Sequence, residues 1–220
     1  MIISKITYKN ISVEILEEVY EPAEDTFLLA DCTVSVLSEL LKSRTEKTDL
    51  NGLEIGCGSG FVSKFAAHCI PQIQMIGLDI NPNAVSCSCG NGVRAYLSDM
   101  FEIFDKKEDD TALALEMPAE GFDMILFNPP YLPTADDEKI DGWINYAFDG
   151  GPFGRDSIDR FLAAAGNYLA EDGIILMLIS SLTGVGEVSA EFEKNGFFAE
   201  PVGETKIDFE NLIVLKGKRI

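Results

Sequence analysis

Leu53-Glu54-Ile55-Gly56-Cys57-Gly58-Ser59-Gly60 decides the fold of this 220-residue chain. Leu53-Glu54-Ile55 reads as a short strand and Phe61 to Cys69 as a helix. The alternate glycines between them permit a sharp turn and a close backbone approach to a ligand. Asp79 closes the next apolar strand, Met75-Ile76-Gly77-Leu78, at the distance from Gly60 where a carboxylate meets ribose hydroxyls. The third glycine comes one residue too early for the pyrophosphate pattern G-x-G-x-x-G. A ligand with a ribose but no pyrophosphate fits the turn better, and S-adenosylmethionine (SAM) is such a ligand.

The same rhythm continues in both directions. A short helix is expected from Asn83, and strands at Ala95-Tyr96-Leu97, Phe122 to Phe127, Ile174 to Ile179 and Leu212 to Leu215. Asp156 is expected to cap a helix whose apolar positions are Ile158, Phe161, Leu162, Ala165 and Leu169; Val185 to Lys194 reads as another helix. Short apolar strands alternating with helices imply an α/β fold with a mainly parallel sheet. Ahead of this core, Ile2 to Tyr20 reads as a hairpin turning at Lys9-Asn10. Glu21 to Thr26 reads as a loop feeding a helix with apolar positions Leu29, Cys32, Val36, Leu37 and Leu40. The expected organisation is one domain over residues 1–220, with 1–48 as a hairpin-and-helix extension and 49–220 as the catalytic core.

Two further strand ends carry candidate chemistry. After the third strand, Ser98-Asp99-Met100 offers a carboxylate to an adenine amino group beside an apolar side chain, or else Asp99 serves as a helix cap. After the fourth strand comes Asn128-Pro129-Pro130-Tyr131. The Asn128 carboxamide oxygen and the Pro129 carbonyl are acceptors held by a stiff proline pair. Together they match the two hydrogens of a planar NH2 group, and Tyr131 supplies a face for it to stack on.

Composition narrows the function. Lys+Arg is 17 against Asp+Glu 37, a net charge of -20, so the chain repels nucleic acid and anionic membranes and attracts basic proteins, or the acidity simply keeps it soluble. No apolar run is long enough to span a bilayer, and the opening Met1-Ile-Ile-Ser-Lys-Ile lacks the features of a secretory signal. The five cysteines, including the pair Cys87 and Cys89, and the lone His68 form no metal-binding pattern; they suit a reducing compartment. A cytoplasmic protein without a metal is expected, with the nucleus open to it in a eukaryote. Long segments at Glu102 to Gly121 and Leu132 to Gly154 break the rhythm, the second with acidic residues from Asp136 to Asp141.

Taken together, Glu54 to Gly60, Asp79-Ile80-Asn81-Pro82 and Asn128-Pro129-Pro130-Tyr131 resemble the HemK-like SAM-dependent methyltransferases, which modify glutamine in the GGQ motif of translation release factors. Val19 to Leu29, Gly150-Gly151 with Gly154-Arg155, and Asp159-Arg160-Phe161 are similar to the eukaryotic and archaeal branch. The resemblance covers most of residues 19 to 179, and the Asn-Pro-Pro-Tyr motif alone is shared with adenine-N6 methyltransferases. It implies a Rossmann-like, seven-stranded class I SAM-dependent methyltransferase with a short N-terminal extension. That extension is too short for the helical domain with which the bacterial branch binds its release factor. By resemblance, Asn128, Pro129, Pro130 and Tyr131 are catalytic, Gly56, Gly58 and Gly60 hold the methionine end of SAM, Asp79 its ribose, Asp99 and Met100 its adenine, Glu54, Ile80 and Asn128 also contact the cofactor, and Thr26 lies over the site. The resemblance also implies a heterodimer with a small zinc-binding activator protein that pairs with the open edge strand Arg94 to Ser98. A lysine methyltransferase, an adenine-N6 methyltransferase disfavoured by the acidity, and a non-catalytic SAM-binding subunit are the alternatives.

Overall fold

The computed structural model describes residues 1–44, 49–105, 115–135 and 137–220. Seven strands form one sheet in the order β5-β4-β3-β6-β7-β9-β8. They are β3 (Leu50–Ile55), β4 (Ile73–Asp79), β5 (Arg94–Leu97), β6 (Phe122–Phe127), β7 (Leu169–Ser180), β8 (Phe197–Ile207) and β9 (Glu210–Arg219). β3 through β7 run parallel, and β9 is antiparallel to both of its neighbours. The preceding β1 (Ile2–Tyr8) and β2 (Ile11–Leu16) form a separate antiparallel hairpin. Helices α1 (Glu24–Ser43), α2 (Phe61–Cys69), α3 (Pro82–Gly90), α4 (Glu102–Asp105), α5 (Asp156–Ala165) and α6 (Val185–Lys194) connect the strands.

Both faces of the sheet are covered, which is why its central strands are almost continuously apolar. Along β7, Ile174, Leu176 and Leu178 face the cluster built with α1, α2 and the hairpin, whereas Ile175, Met177 and Ile179 face that of α5 and α6. Val13, Ile15, Leu29 and Leu37 are buried in the first cluster, so the N-terminal residues share a core with the sheet. Burying a side chain of this size contributes about 1.5–3 kcal/mol. At the far end of α1, Arg44 lies 2.5 Å from the fully buried Asp123 of β6, whose other oxygen accepts the Asn51 amide. That pair ties the end of the helix to the foot of the sheet.

Several sequence expectations change in detail. The helix after the first loop already begins at Glu24, so Asp25 and Thr26 lie in its first turn, where acidic residues favour the helix dipole. Asp156 is the first residue of α5 and Arg155 holds the cap position; no side chain caps that end. Leu169 is not on α5, which ends at Ala165, but opens β7, which takes a register shift before Ile174. Ahead of α4 the Ser98 hydroxyl accepts the Ile103 amide, while the Asp99 carboxylate pairs with Arg160. β8 escaped the reading of individual strands because it is an edge strand broken by Pro201 and Gly203, with mostly exposed or half-buried positions. The polar excursion is described only up to Asp105 and from Leu115, and Asp136 of the acidic segment lies outside the described residues.

Candidate active site

The chain leaves β3 for β4 and β5 on one side, then returns to lay β6 on the other side of β3. A crevice opens at such a switch point, beyond the carboxyl ends of the strands. Here a cavity of about 590 Å³ occupies it. Thr26, Glu54, Gly56, Gly58, Asp79, Ile80, Asp99, Met100 and Asn128 to Tyr131 all line this cavity. Gly60 does not. A side chain there would meet Ser88 Oγ at 2.8 Å and Val93 at 2.9 Å, so this glycine lets α3 and the residues after it pack closely against the turn.

The glycine turn is built from left-handed backbone, with φ of 63° at Gly56, 54° at Gly58 and 77° at Gly60. Other residues adopt that region only under strain. The Gly58 amide donates to Asp79 Oδ2 at 2.8 Å and the Asn81 amide to Asp79 Oδ1 at 2.9 Å, which locks the ends of β3 and β4 to each other. Burial pushes the Asp79 carboxyl above its ordinary value, although these backbone donors oppose the shift. A carboxylate offers about four acceptor positions, so capacity remains for a diol. Glu54 holds α2 to the strand end, because its Oε2 accepts from both the amide and the hydroxyl of Ser63, and it lines the cavity as well. At the opposite end of the cavity Asp99 pairs with Arg160 of α5 at 3.0 Å, and Met100 sits at a left-handed φ of 47°.

At the end of β6, Asn128 Nδ2 donates to Asp25 Oδ2 at 2.9 Å. Its Oδ1 is buried and has no hydrogen-bond partner. Pro129 is buried as well, and among the described residues no donor reaches its carbonyl. A buried acceptor without a partner costs free energy unless a ligand's hydrogen completes it. The rest of the loop is braced from behind. Thr183 Oγ1 donates to the Tyr131 carbonyl at 3.2 Å, the Gly150 amide donates to the Leu132 carbonyl at 3.2 Å, and Leu132 forms a bridge with Asp149. Burial, together with the charges of Asp25 and Glu210, holds the Tyr131 hydroxyl well above the usual phenol range, so it stays protonated.

A family profile for the methyltransferase small domain matches residues 30–143. A Methanocaldococcus jannaschii protein assigned as a protein N5-glutamine methyltransferase is 38% identical over 98% of this chain and 99% of its own. The chain belongs to the HemK-like methyltransferases. Human methyltransferase HEMK2 is 32% identical over 90% of this chain and 89% of its own. Among solved structures, the E. cuniculi Mtq2–Trm112 complex, responsible for methylation of the eRF1 termination factor, is similar with a TM-score of 0.64 and 22% identity, over 92% of this chain and 99% of that one. M. jannaschii TYW2 in complex with AdoMet is similar with a TM-score of 0.57 and 11% identity, covering 99% and 86%. These likenesses show the fold, that of class I SAM methyltransferases.

Within this HemK-like site, sequence reasoning missed the residues that the tertiary structure brings over the cavity. Asp25 and Tyr20 come from the start of α1 and the loop ahead of it, with Tyr20 Oη donating to Asp25 Oδ2 at 3.1 Å. Trp143, Tyr146 and Phe148 come from the long segment after the Asn128 to Tyr131 loop, and Phe148 packs edge-on against Tyr20 at 5.6 Å. Glu18 pins that segment by accepting the Trp143 amide at 3.2 Å. The clustering of aromatic residues in an otherwise acidic loop was the one signal for it. Asp25 was visible only as part of the family-like stretch Glu24-Asp25-Thr26.

Proposed function

We propose that this protein transfers a methyl group from SAM to the side-chain amide nitrogen of a glutamine, the one in the GGQ motif of a class I translation release factor. The observation that carries the reading is the buried, unpartnered Asn128 Oδ1 followed in the chain by the Pro129 carbonyl, a pair of acceptors on residues that line a cavity sized for a nucleoside-containing ligand. A primary amide presents two N–H groups in one plane and matches that pair. A lysine ammonium has three hydrogens and must first lose one. The assignment of the M. jannaschii relative and the methylation of eRF1 by the Mtq2–Trm112 complex support the same substrate class.

SAM fits the residues present. Asp79 would take the ribose hydroxyls and the backbone of Gly56 to Gly58 the methionine end; Ile80, Asp99 and Met100 would surround the adenine, with Thr26 closing over it. When bound, SAM supplies an electrophilic methyl group on a positively charged sulfur. The protein does the rest by positioning. Asn128 and Pro129 draw both amide hydrogens towards their oxygens, which raises electron density on a nitrogen whose lone pair is otherwise delocalised. Tyr131 provides the stacking face, and the Trp143 to Phe148 segment with Tyr20 lines the same cavity.

A small zinc-binding activator belongs to the same proposal. β5 has β4 as its one strand neighbour among the described residues, and Leu97 on it is 53% exposed. An open, partly apolar edge is a surface for strand addition. The solved structure of a similar fold is a complex of two proteins, Mtq2 and Trm112. The reading places the enzyme in the cytoplasm, where termination occurs; among the described residues no helix is long and apolar enough to cross a membrane. The deciding experiment incubates the protein, alone and co-expressed with an activator, with labelled SAM and a purified release factor, and maps the modified residue by mass. Methyl label on the GGQ glutamine, lost roughly 10²-fold in Asn128→Ala, is expected. Label on lysine or no label in either preparation overturns the reading.

A further inference from the structure

The Asn128 carboxamide works only in one of its two orientations. With Oδ1 towards the acceptor it receives a hydrogen; turned by half a revolution it presents NH2 and repels the acceptor's own N–H groups. Something must hold the productive orientation before the acceptor arrives, because Oδ1 itself has no partner to hold it. The backbone loop does not, since it fixes Asn128 only at its main chain.

We propose that Asp25 is the positioning residue that sets the orientation of Asn128, and so decides whether the methyl acceptor meets an oxygen or an amino group; this rests on the acceptor clamp of the proposed reaction. Four donors converge on its carboxylate. Thr26 N and Thr26 Oγ1 reach Oδ1 at 2.6 and 3.1 Å, and Tyr20 Oη and Asn128 Nδ2 reach Oδ2 at 3.1 and 2.9 Å. The Asn128 atom that faces this carboxylate is the NH2, at 2.9 Å, and Oδ1 is turned away from it, buried and without a partner. Asp25 is 4% exposed and comes from α1, while Asn128 comes from the end of β6. The hydrogen bond thus spans 103 residues of sequence and joins the N-terminal extension to the catalytic loop. The extension is in this way part of the methyl-transfer site and not merely a cover for SAM.

Asp25→Asn is close to isosteric and separates orientation from packing. If its oxygen keeps the Thr26 amide, its NH2 faces Asn128 Nδ2. Asn128 then relaxes by turning over, which brings the wrong atom to the acceptor. The test uses the full chain with its activator, on whichever acceptor the wild-type protein methylates; that choice judges the function reading separately. Asp25→Asn and Asp25→Ala are each expected to lower kcat by about tenfold or more, with the SAM dissociation constant within about threefold of wild type. In an Asn128→Ala background neither is expected to lower kcat further, because the residue through which Asp25 acts is gone. A wild-type kcat in Asp25→Asn, or losses that multiply in the double variant, overturn the proposal. A second readout needs no acceptor. The Asn128 side-chain NH2 resonance, identified by its disappearance in Asn128→Ala, should shift in Asp25→Asn, and an unmoved resonance also overturns the proposal. Should the wild type methylate no acceptor, the function reading falls and this resonance alone decides the role of Asp25.

Discussion

Glu54 ends its strand with a carboxyl group 4% exposed to solvent, and burial pushes its pKa up to about 8 against the two Ser63 hydrogen bonds that favour the charged form. In an unfolded chain the same group titrates near 4.3. Between those values the native protein holds a proton that the unfolded chain has released, so folding stability falls as pH rises through this window. The contribution is fully present below the unfolded value and lost above about 8. Glu54→Gln keeps the shape and removes the titration. Urea unfolding at pH 5 and pH 8 should show the wild type losing stability relative to the variant, by an amount on the order of a few kcal/mol. Parallel pH dependence in the two proteins would show that Glu54 is ionised throughout.

Among the elements, the turn from Asp149 to Arg155 matters more than its lack of regular structure suggests. A side chain on Gly150 would come within 2.7 Å of the Pro130 carbonyl and 2.8 Å of the Leu132 carbonyl. Only a residue without a β-carbon lets this turn lie flat against the catalytic loop. Gly150→Ala should therefore push the Asn128 to Tyr131 segment out of line. Displacement of reacting groups by even 1 Å costs about 10²-fold in rate, and a smaller loss of roughly tenfold or more in kcat is expected here, with SAM affinity retained. Steady-state kinetics beside calorimetric SAM binding checks it; a parallel loss of both would point to general unfolding instead. The opposite case is α6, a short amphipathic helix that the sequence pattern placed over Val185 to Lys194 and the structure places there too.

For the whole molecule, the net charge of -20 becomes a functional quantity once the acidic segment is located. Asp137, Glu138 and Asp141 are exposed and lead directly into Trp143, which lines the cavity. They stand where a basic region of a protein substrate would approach. Reversing these three charges to lysine should raise KM for the release factor several-fold, roughly, and flatten its dependence on salt, while kcat stays near wild type. Kinetics at two ionic strengths measures both effects. A KM indifferent to charge and salt alike would leave the acidity with solubility as its role.

Glycine spacing at Gly56 and Gly58, the acidic strand end at Asp79 and the Asn128-Pro129 pair were legible in the sequence because each rests on local backbone chemistry. A left-handed turn, a strand terminus and a proline-stiffened acceptor are set by a few adjacent residues. The alternation of apolar strands and helices was legible for the same reason, since burial on both faces of a sheet leaves its mark residue by residue. β8 was not, because an edge strand paired on one side has no such burial pattern to display. Nor could the sequence separate Gly60, which packs on α3, from the glycines that line the cavity, as all three share one conformation and differ only in what lies opposite. The tertiary structure alone decided that Asp25 meets Asn128, that Glu54 accepts from Ser63, and that Trp143 and Phe148 line the cavity. Those partners are far apart in the chain, and nothing in local propensity selects them. They meet because the start of α1 and the long loop both line the cavity that opens where the strand order reverses.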